Sequence, residues 1–200
     1  MSLRKWLFYG IAIPFSGLIL VSSSIAVMAR VNHWSFNYTT CMPLGFYQRG
    51  PAPKRLKVGD RVFFCPPVHG KSMHQAITNL WLAFAPHGQW DCADHLVPFM
   101  KFVVALPGQT VDVTKKGVIA NGKMLPNSQV VTSILDGKLK VIHLPYGKYV
   151  VPKGMFWDYA PGNRAYTSAY YGPVPQKNIL GSIKPVPYLT IPGSQYWLKP

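Results

Sequence analysis

The sequence of 200 residues predicts a mainly β domain attached to one N-terminal transmembrane helix. The 19 prolines and 17 glycines, spread along the whole chain, argue against a helical bundle and favour short strands joined by turns. Residues 6–29 contain no charged side chain and, as a helix, exceed the roughly 30 Å hydrocarbon core of a bilayer. The residues that follow this segment suffice for one domain with a sizeable core.

The N-terminal segment also predicts the orientation of the chain. Arg4 and Lys5 precede the apolar residues, and basic residues mark the cytoplasmic end of a membrane helix. Residues 1–5 are therefore predicted to be a cytoplasmic tail, residues 6–30 a transmembrane anchor, and residues 31–200 a domain on the outer side. A cleaved signal peptide is the alternative, since residues 27–29 resemble a small-residue cleavage site, although the apolar region is longer than such peptides use.

The net charge of +15 points to anionic partners. Because the apolar segment already directs the chain to a membrane, lipid head groups are the first of these partners. The sequence contains no helix-turn-helix, zinc-finger or aromatic RNA-binding motif, so nucleic acid is not predicted as a partner.

Short strands and turns are predicted along the rest of the chain. They alternate in polarity or run apolar between turn signals such as Asn121-Gly122, and a short helix is expected within residues 72–84. Residues 185–200, with their tyrosines and Trp197, are expected to rest at the membrane interface. The strands are expected at residues 61–64, 95–105, 111–113, 118–120, 130–135, 140–143, 149–151, 155–159 and 179–183.

Three cysteines, Cys41, Cys65 and Cys92, bear on the compartment of the domain. An odd count in an exported domain suggests one disulfide and one free thiol. Cys65 and Cys92 enclose a loop rich in turn residues and are predicted to pair, with two buried reduced thiols as the alternative. The His, Cys and Asp side chains of residues 87–95 match no standard zinc spacing, so neither a metal site nor a cofactor is predicted.

Cys41 is a candidate nucleophile just outside the membrane segment. Two threonines precede it, and Pro43 and Gly45 hold the backbone after it in a fixed bend. A lone cysteine is more often inert than catalytic, and a nucleophilic thiol needs a base within hydrogen-bond reach. Histidine is the usual base, but a sortase-like arrangement needs a histidine on an upstream strand, and only His33 precedes the thiol.

Lys101 is the candidate base. It lies among apolar residues and, in a strand, shares one face with Phe99 and Val103. Burial there would favour the neutral amine, which can accept a proton. The alternative is a solvated lysine on an edge strand, where it guards against aggregation.

Three segments in a fixed order carry a resemblance. Residues 39–47 resemble the nucleophile box and residues 101–108 the lysine box of the signal-peptidase family of serine-lysine peptidases. Residues 170–175 with 179–181 resemble the tail of the family's last box. The similarity is closest to the conjugative-transfer TraF-type branch and, with the anchor, extends over nearly the whole chain. Two positions depart from the family. Cys41 stands where the family has serine, as a natural thiol or an introduced change, and residues 167–169 replace an Asp-Ser-Arg triplet, so the supporting acid is missing there.

The resemblance implies a signal-peptidase-like β fold and an enzyme of the bacterial inner membrane with its domain in the periplasm. It implies acyl transfer at a conjugative pilin precursor, ended by water or by the pilin's own N-terminal amine, with other conjugative-transfer proteins as partners. A general type I signal peptidase and an inactive assembly factor are the alternatives. In this reading Cys41 is the nucleophile, Lys101 the base, and Thr39 an oxyanion donor, while Thr167 or Ser168 orients the lysine. The substrate is expected to pair with the edge at residues 96–100 and with the strand leaving the nucleophile, contacting Met42, Pro43, Leu96, Val97, Pro98, Phe99 and Met100.

Overall fold

The computed structural model describes residues 9–10, 13–86, 92–162 and 164–196, and the chain divides into two compact units, Met1–Ser35 and Phe36–Pro200. The predicted cytoplasmic tail, residues 1–5, lies outside the described residues. Residues 87–91, part of the segment considered for metal binding, and Trp197 also lie outside them.

The first unit contains helix α1 (Ile13–Val31), which has no buried residue. Its 19 residues correspond to a length of about 28 Å, and by length and composition the helix could cross a membrane, as the sequence predicts. The hydroxyls of Ser16, Ser22 and Ser24 donate to backbone carbonyls three or four residues earlier. These bonds satisfy the serine donors within the helix, as an apolar environment requires.

The second unit is built mainly of strands. Two short α-helices follow, α2 (Lys71–Thr78) and α3 (Ser168–Tyr171), and 3-10 turns cover Ala93–His95, Gln176–Asn178 and Ser194–Tyr196. The strands are β1 (Trp34–Asn37), β2 (Leu44–Gly50), β3 (Arg61–Phe64), β4 (Phe99–Ala105), β5 (Thr110–Thr114), β6 (Gly117–Ala120), β7 (Lys123–Met124), β8 (Ser133–Ile134), β9 (Leu139–Lys140), β10 (Gly147–Val150), β11 (Met155–Tyr159), β12 (Val174–Pro175) and β13 (Ile179–Ile191).

These strands form one large sheet and two small ones. The seven-stranded sheet has the order β1, β2, β13, β3, β4, β11, β12, the four-stranded sheet the order β10, β5, β6, β7, and β8 pairs with β9. The prediction of a mainly β domain is confirmed. Strand β4 lies in the interior of the large sheet, where β3 and β11 pair with it on opposite sides.

Alternating burial explains why these segments form strands. On β4, Lys101, Val103 and Ala105 are buried while the residues between them are only partly buried. Phe64 and Phe156 are fully buried and pack edge to face, with ring centroids 5.2 Å apart. Burying a side chain of this size stabilises the fold by roughly 1.5–3 kcal/mol.

Several predicted boundaries are corrected by long-range contacts. Only Ser133–Ile134 of the predicted strand 130–135 is extended and paired, because the backbone N–H of Val131 donates to the hydroxyl of Tyr170 instead of to a strand. Strand β13 continues to Ile191, well past the predicted end at residue 183, because its second half pairs with β2. The predicted strand 140–143 shrinks to Leu139–Lys140, and the expected helix ends at Thr78.

A disulfide joins Cys65, just after β3, to Cys92, and the S–S distance is 2.03 Å. This is the pairing that the sequence predicts, and Cys41 is left as the free thiol. The bridge joins two residues that are 27 positions apart in the chain, and α2 lies between them.

Candidate active site

Asn37 organises the turn that carries Cys41. It ends β1, is buried, and its Nδ2 donates over 2.9–3.0 Å to the carbonyl oxygens of Thr39, Met42 and Pro43. Its Oδ1 accepts from both the backbone N–H and the hydroxyl of Thr39, at 3.2 and 2.8 Å. Because one amide side chain offers both donors and an acceptor, Asn37 satisfies backbone groups on each side of the nucleophile.

A glycine covers the same turn from the other end of the chain. The backbone N–H of Gly162 donates to the carbonyl of Cys41 at 3.2 Å. A Cβ atom at position 162 would lie 2.0 Å from the carbonyl oxygen of Thr40 and 2.9 Å from the Cα of Cys41. Only glycine therefore allows this loop to approach the nucleophile so closely. Cys41 itself is half-buried.

Lys101 is 3% exposed, which is rare for a lysine. Because Lys101 is buried, the alternative of a solvated lysine on an edge strand is wrong. The Nζ atom lies 5.3 Å from the centroid of the Phe99 ring, within the range at which an aromatic face attracts a cation.

Asp158, which sequence reasoning missed, is a buried acid whose pKa is affected by the charge of Lys101. The side chain is 0% exposed, and its Oδ1 accepts the hydroxyls of Ser168 at 2.5 Å and Tyr171 at 2.7 Å. The same Ser168 hydroxyl oxygen accepts the backbone N–H of Asp158 at 2.9 Å. Its Oδ2 has no hydrogen-bond partner among the described residues.

The electrostatics connect these groups. Burial raises the pKa of Asp158 to about 6, against the lowering effects of the Lys101 charge and of hydrogen bonds from Ser168 and Tyr171. Burial, with the neighbouring Asp158 carboxylate, raises the pKa of Tyr171 well above its ordinary value, and the charge of Cys41 adds to this rise. Tyr171 is therefore a neutral hydrogen-bond donor throughout the physiological range.

Cys41 and Lys101 line one cleft. Of the residues predicted to contact substrate, Val97, Pro98, Phe99 and Met100 line it as well. The other described lining residues are Phe36, Asn37, Tyr38, Thr39, Trp81, Leu82, Ala83, Arg164 and Tyr166. Since β1 and β4 both supply lining residues, the cleft is bordered by strand backbone as well as by side chains.

Three predicted contacts are placed elsewhere. Leu96 is fully buried in a core cluster around Met73, and Met42 is 1% exposed in a second cluster, so neither side chain lines the cleft. Pro43 does not line it either, and its carbonyl accepts from Asn37 and from the Tyr47 hydroxyl.

The predicted supporting hydroxyls also have other partners. Thr167 caps α3, where its side chain accepts from the Ala169 N–H at 3.4 Å. Ser168 donates its hydroxyl to Asp158. The orientation of Lys101 by one of these hydroxyls stays a prediction. The hydroxyl of Thr39 donates to Asn37.

The strand edges that were expected to pair with the substrate also differ from the prediction. Strand β2, which leaves the nucleophile, lies between β1 and β13 in the sheet and offers no open edge. Beyond Tyr159, β11 no longer pairs with β4, so Phe99–Lys101 lie past the end of that pairing and line the cleft. The backbone N–H of Val97 donates to the carbonyl of Ala83, which occupies the start of the predicted edge.

Comparison with known proteins identifies the family of this chain. Residues 3–188 match the family described as signal peptidase, peptidase S26. The chain belongs to the peptidase S26 family. This is a family of proteases, as the sequence resemblance implies.

Relatives of this peptidase S26 chain include conjugal transfer protein TraF of Agrobacterium fabrum, which is 32% identical over 168 residues, 84% of this chain and 89% of the relative. Plasmid transfer protein TraF of Escherichia coli is 26% identical over 171 residues, 86% of this chain and 89% of the relative. A crystal structure of a signal peptidase I from Enterococcus faecalis, 18% identical, covers 66% of this chain and 100% of that chain with a TM-score of 0.37.

Asp158 could have been found from the sequence of this peptidase. It is the one charged residue in the predicted strand 155–159, between Trp157 and Tyr159. An acid inside an otherwise apolar strand is rarely buried unless it has partners, so it marks a site. Asn37 and Gly162 carry no comparable signal, because their roles depend on contacts formed only in the folded chain.

Proposed function

We propose that this chain is a membrane-anchored peptidase that processes a conjugative pilin precursor by acyl transfer, with Cys41 as nucleophile and Lys101 as general base. The observation that carries the proposal is that a free thiol and a buried amine line the same cleft in a member of a protease family. The conjugal and plasmid transfer names of the relatives support a substrate and partners in a transfer apparatus.

The proposed location is the bacterial inner membrane. Residues 1–5 form the cytoplasmic tail, residues 6–30 the single span, and residues 31–200 the catalytic domain in the periplasm. The apolar character of α1 supports the span, and Arg4 and Lys5 support the orientation. The net charge of +15 favours contact with anionic lipid head groups.

The proposed chemistry begins with proton transfer from the Cys41 thiol to the Lys101 amine. The sulfur then attacks the scissile carbonyl, and the Lys101 ammonium returns the proton to the leaving amine, so that a thioester remains on the protein.

The developing oxyanion would be stabilised by the Cys41 backbone N–H and the Thr39 hydroxyl. The Thr39 hydroxyl would have to exchange its bond to Asn37 for one to the substrate oxygen. Removing one donor of this kind typically lowers the rate by about 10²–10³.

The peptide is proposed to lie along Val97, Pro98, Phe99 and Met100, adding to the backbone at the open end of β4. Water or the precursor's own N-terminal amine then attacks the thioester, which releases the acyl group and restores the Cys41 thiol. Thioesters react readily with amines, so a cysteine at position 41 is compatible with ring closure.

Precursor processing by purified full-length protein in detergent tests the proposal. Lys101→Met should abolish processing because no other described base lines the cleft with Cys41, whereas Lys153→Met, which removes an exposed lysine, should process normally. Intact mass separates the two endings, since a ring is one water lighter than the cleaved linear chain. Normal processing by Lys101→Met would refute the proposed dyad.

Two alternatives predict different outcomes in the same assay. A general signal peptidase would cleave unrelated leader peptides as fast as the pilin precursor. An inactive assembly factor would process neither, and the main argument for it, the missing acid at position 167, is weakened by the presence of Asp158.

A further inference from the structure

Asp158 lies on the strand next to the one that carries Lys101. In the pairing of β11 with β4, Asp158 is opposite Val103, and Lys101 is two residues from Val103 on the same face. The side chains of Asp158 and Lys101 are therefore diagonal neighbours on one face of the sheet, a spacing of roughly 7–8 Å between backbone positions that long side chains bridge.

The carboxylate is held so that one oxygen stays available. Both hydroxyl donors, from Ser168 and Tyr171 on α3, bond to Oδ1, and Oδ2 is buried without a partner among the described residues. A buried acceptor left unbonded costs roughly 1–3 kcal/mol, more when it is charged. An ammonium on Lys101 is the group beside it that can supply the missing donor.

The proposed reaction requires a negatively charged group near Lys101. When the Lys101 amine takes the thiol proton, the S–H bond breaks, an N–H bond forms, and a positive charge appears on a side chain that is 3% exposed. Burying an uncompensated charge is costly, and Phe99 is the neighbour with an attractive ring face. A carboxylate that remains ionised through the step offsets the charge without taking the proton itself.

We propose that Asp158 is the positioning residue of the Cys41–Lys101 pair, and that its carboxylate holds the Lys101 ammonium formed during acyl transfer. The inference rests on the function proposed above. It assigns the supporting acid of this chain to β11, whereas the sequence resemblance places that acid at the position of Thr167.

Among the described residues, few titratable groups face Asp158. Strand β4 supplies Lys101, α3 supplies Tyr171, and β12 supplies only Val174 and Pro175, which do not titrate. Cys41 interacts electrostatically with Tyr171, whose pKa it raises. Burial therefore raises the pKa of Asp158, and Lys101 together with the hydrogen bonds from Ser168 and Tyr171 lowers it.

A titration that needs no enzymatic activity tests the contact. All six acidic residues of the chain are aspartates, so ¹³C labelling of aspartate gives six side-chain carboxyl signals, and Asp158→Asn identifies the one of interest. Its midpoint should lie near pH 6 and should rise in Lys101→Met, because the protonated form of Lys101, which the carboxylate is proposed to hold, lowers the pKa of this carboxyl, and methionine carries no charge. Lys153→Met should leave it unchanged. A midpoint that does not move in Lys101→Met overturns the proposal.

Kinetics test the role in the reaction. Asp158→Asn should lower kcat for precursor processing at least about tenfold, the effect of a change of one pKa unit, with little change in KM. The acid limb of the wild-type pH profile, near pH 6, should be missing from the variant. Asp136→Asn, at an exposed position, should behave as wild type.

The outcomes separate the two proposals. If Lys101→Met is inactive while Asp158→Asn processes as fast as wild type, the role of Asp158 is refuted and the dyad stands. If Lys101→Met is active, the dyad itself is refuted. If Asp158→Asn does not fold, substituting the other five aspartates one at a time assigns their signals, and the remaining signal belongs to Asp158. The midpoint of that signal in wild type and in Lys101→Met then decides whether the contact exists.

Discussion

Replacing Asp158 by asparagine should make the folded protein more stable at neutral pH while reducing its activity. Burial raises the pKa of this carboxyl from 3.8 to about 6. Between pH 4 and pH 6 the folded chain keeps a proton that the unfolded chain has lost. The free energy of unfolding therefore falls as the pH rises through this window.

The size of the effect follows from the pKa change. A rise of roughly two units, at about 1.4 kcal/mol each, corresponds to about 3 kcal/mol of stability lost between pH 4 and pH 7. Asparagine keeps a carbonyl oxygen for Ser168 and Tyr171 but carries no charge. The stability of Asp158→Asn relative to wild type should consequently increase by about 3 kcal/mol across that range.

Urea unfolding of the full chain in detergent, followed by circular dichroism of the β domain at pH 4 and pH 7, measures this difference. Comparing variant with wild type at each pH cancels the contribution of the other titrating groups, and Asp136→Asn serves as an exposed control. A variant advantage of equal size at both pH values would refute the reasoning, because it would show that the buried carboxyl has no raised pKa. A stability advantage of the variant that is larger at pH 4 than at pH 7 would show that folding lowers the pKa of this carboxyl instead of raising it.

Two further predictions concern the scaffold of the site. Gly162→Ala should abolish precursor processing and lower the melting temperature, because its Cβ would lie 2.0 Å from the Thr40 carbonyl oxygen; the control Gly17→Ala, at a glycine of α1 without a positive φ where a Cβ meets nothing within 4 Å, should leave processing intact. Reducing the Cys65–Cys92 bridge should lower the free energy of unfolding by about 3–4 kcal/mol in the loop-entropy estimate, as urea titration with and without reductant will show, and no change on reduction would argue against the bridge.

Local pattern predicted those parts of the fold whose pairing is regular. The strands predicted at residues 61–64 and 155–159 have the observed bounds of β3 and β11, because their apolar runs end at turns. The burial of Lys101 also followed from alternation, since Val103, two residues away, belongs to the same buried face. These features depend on residues close together in the chain.

Features that depend on distant residues were not predictable in this way. The second half of β13 is extended because it pairs with β2, which lies well over a hundred residues earlier, and the sequence around Pro185 reads as a break. Asn37 reads as an ordinary turn residue until the folded turn brings three carbonyl oxygens to its amide. Local periodicity contains no information about such contacts.

The proposal that Asp158 supports Lys101 also accounts for Thr167 in this chain. Thr167 is buried, caps α3, and immediately precedes Ser168, the residue that donates to Asp158. An aspartate at position 167 would add a second carboxylate beside a cluster that already holds a buried one, and two neighbouring carboxylates cannot both ionise without a large penalty. The neutral hydroxyl therefore suits a site whose acid comes from β11. On this argument Thr167→Asp should weaken the support of Lys101 in the wild-type background, although the family resemblance alone would predict a gain.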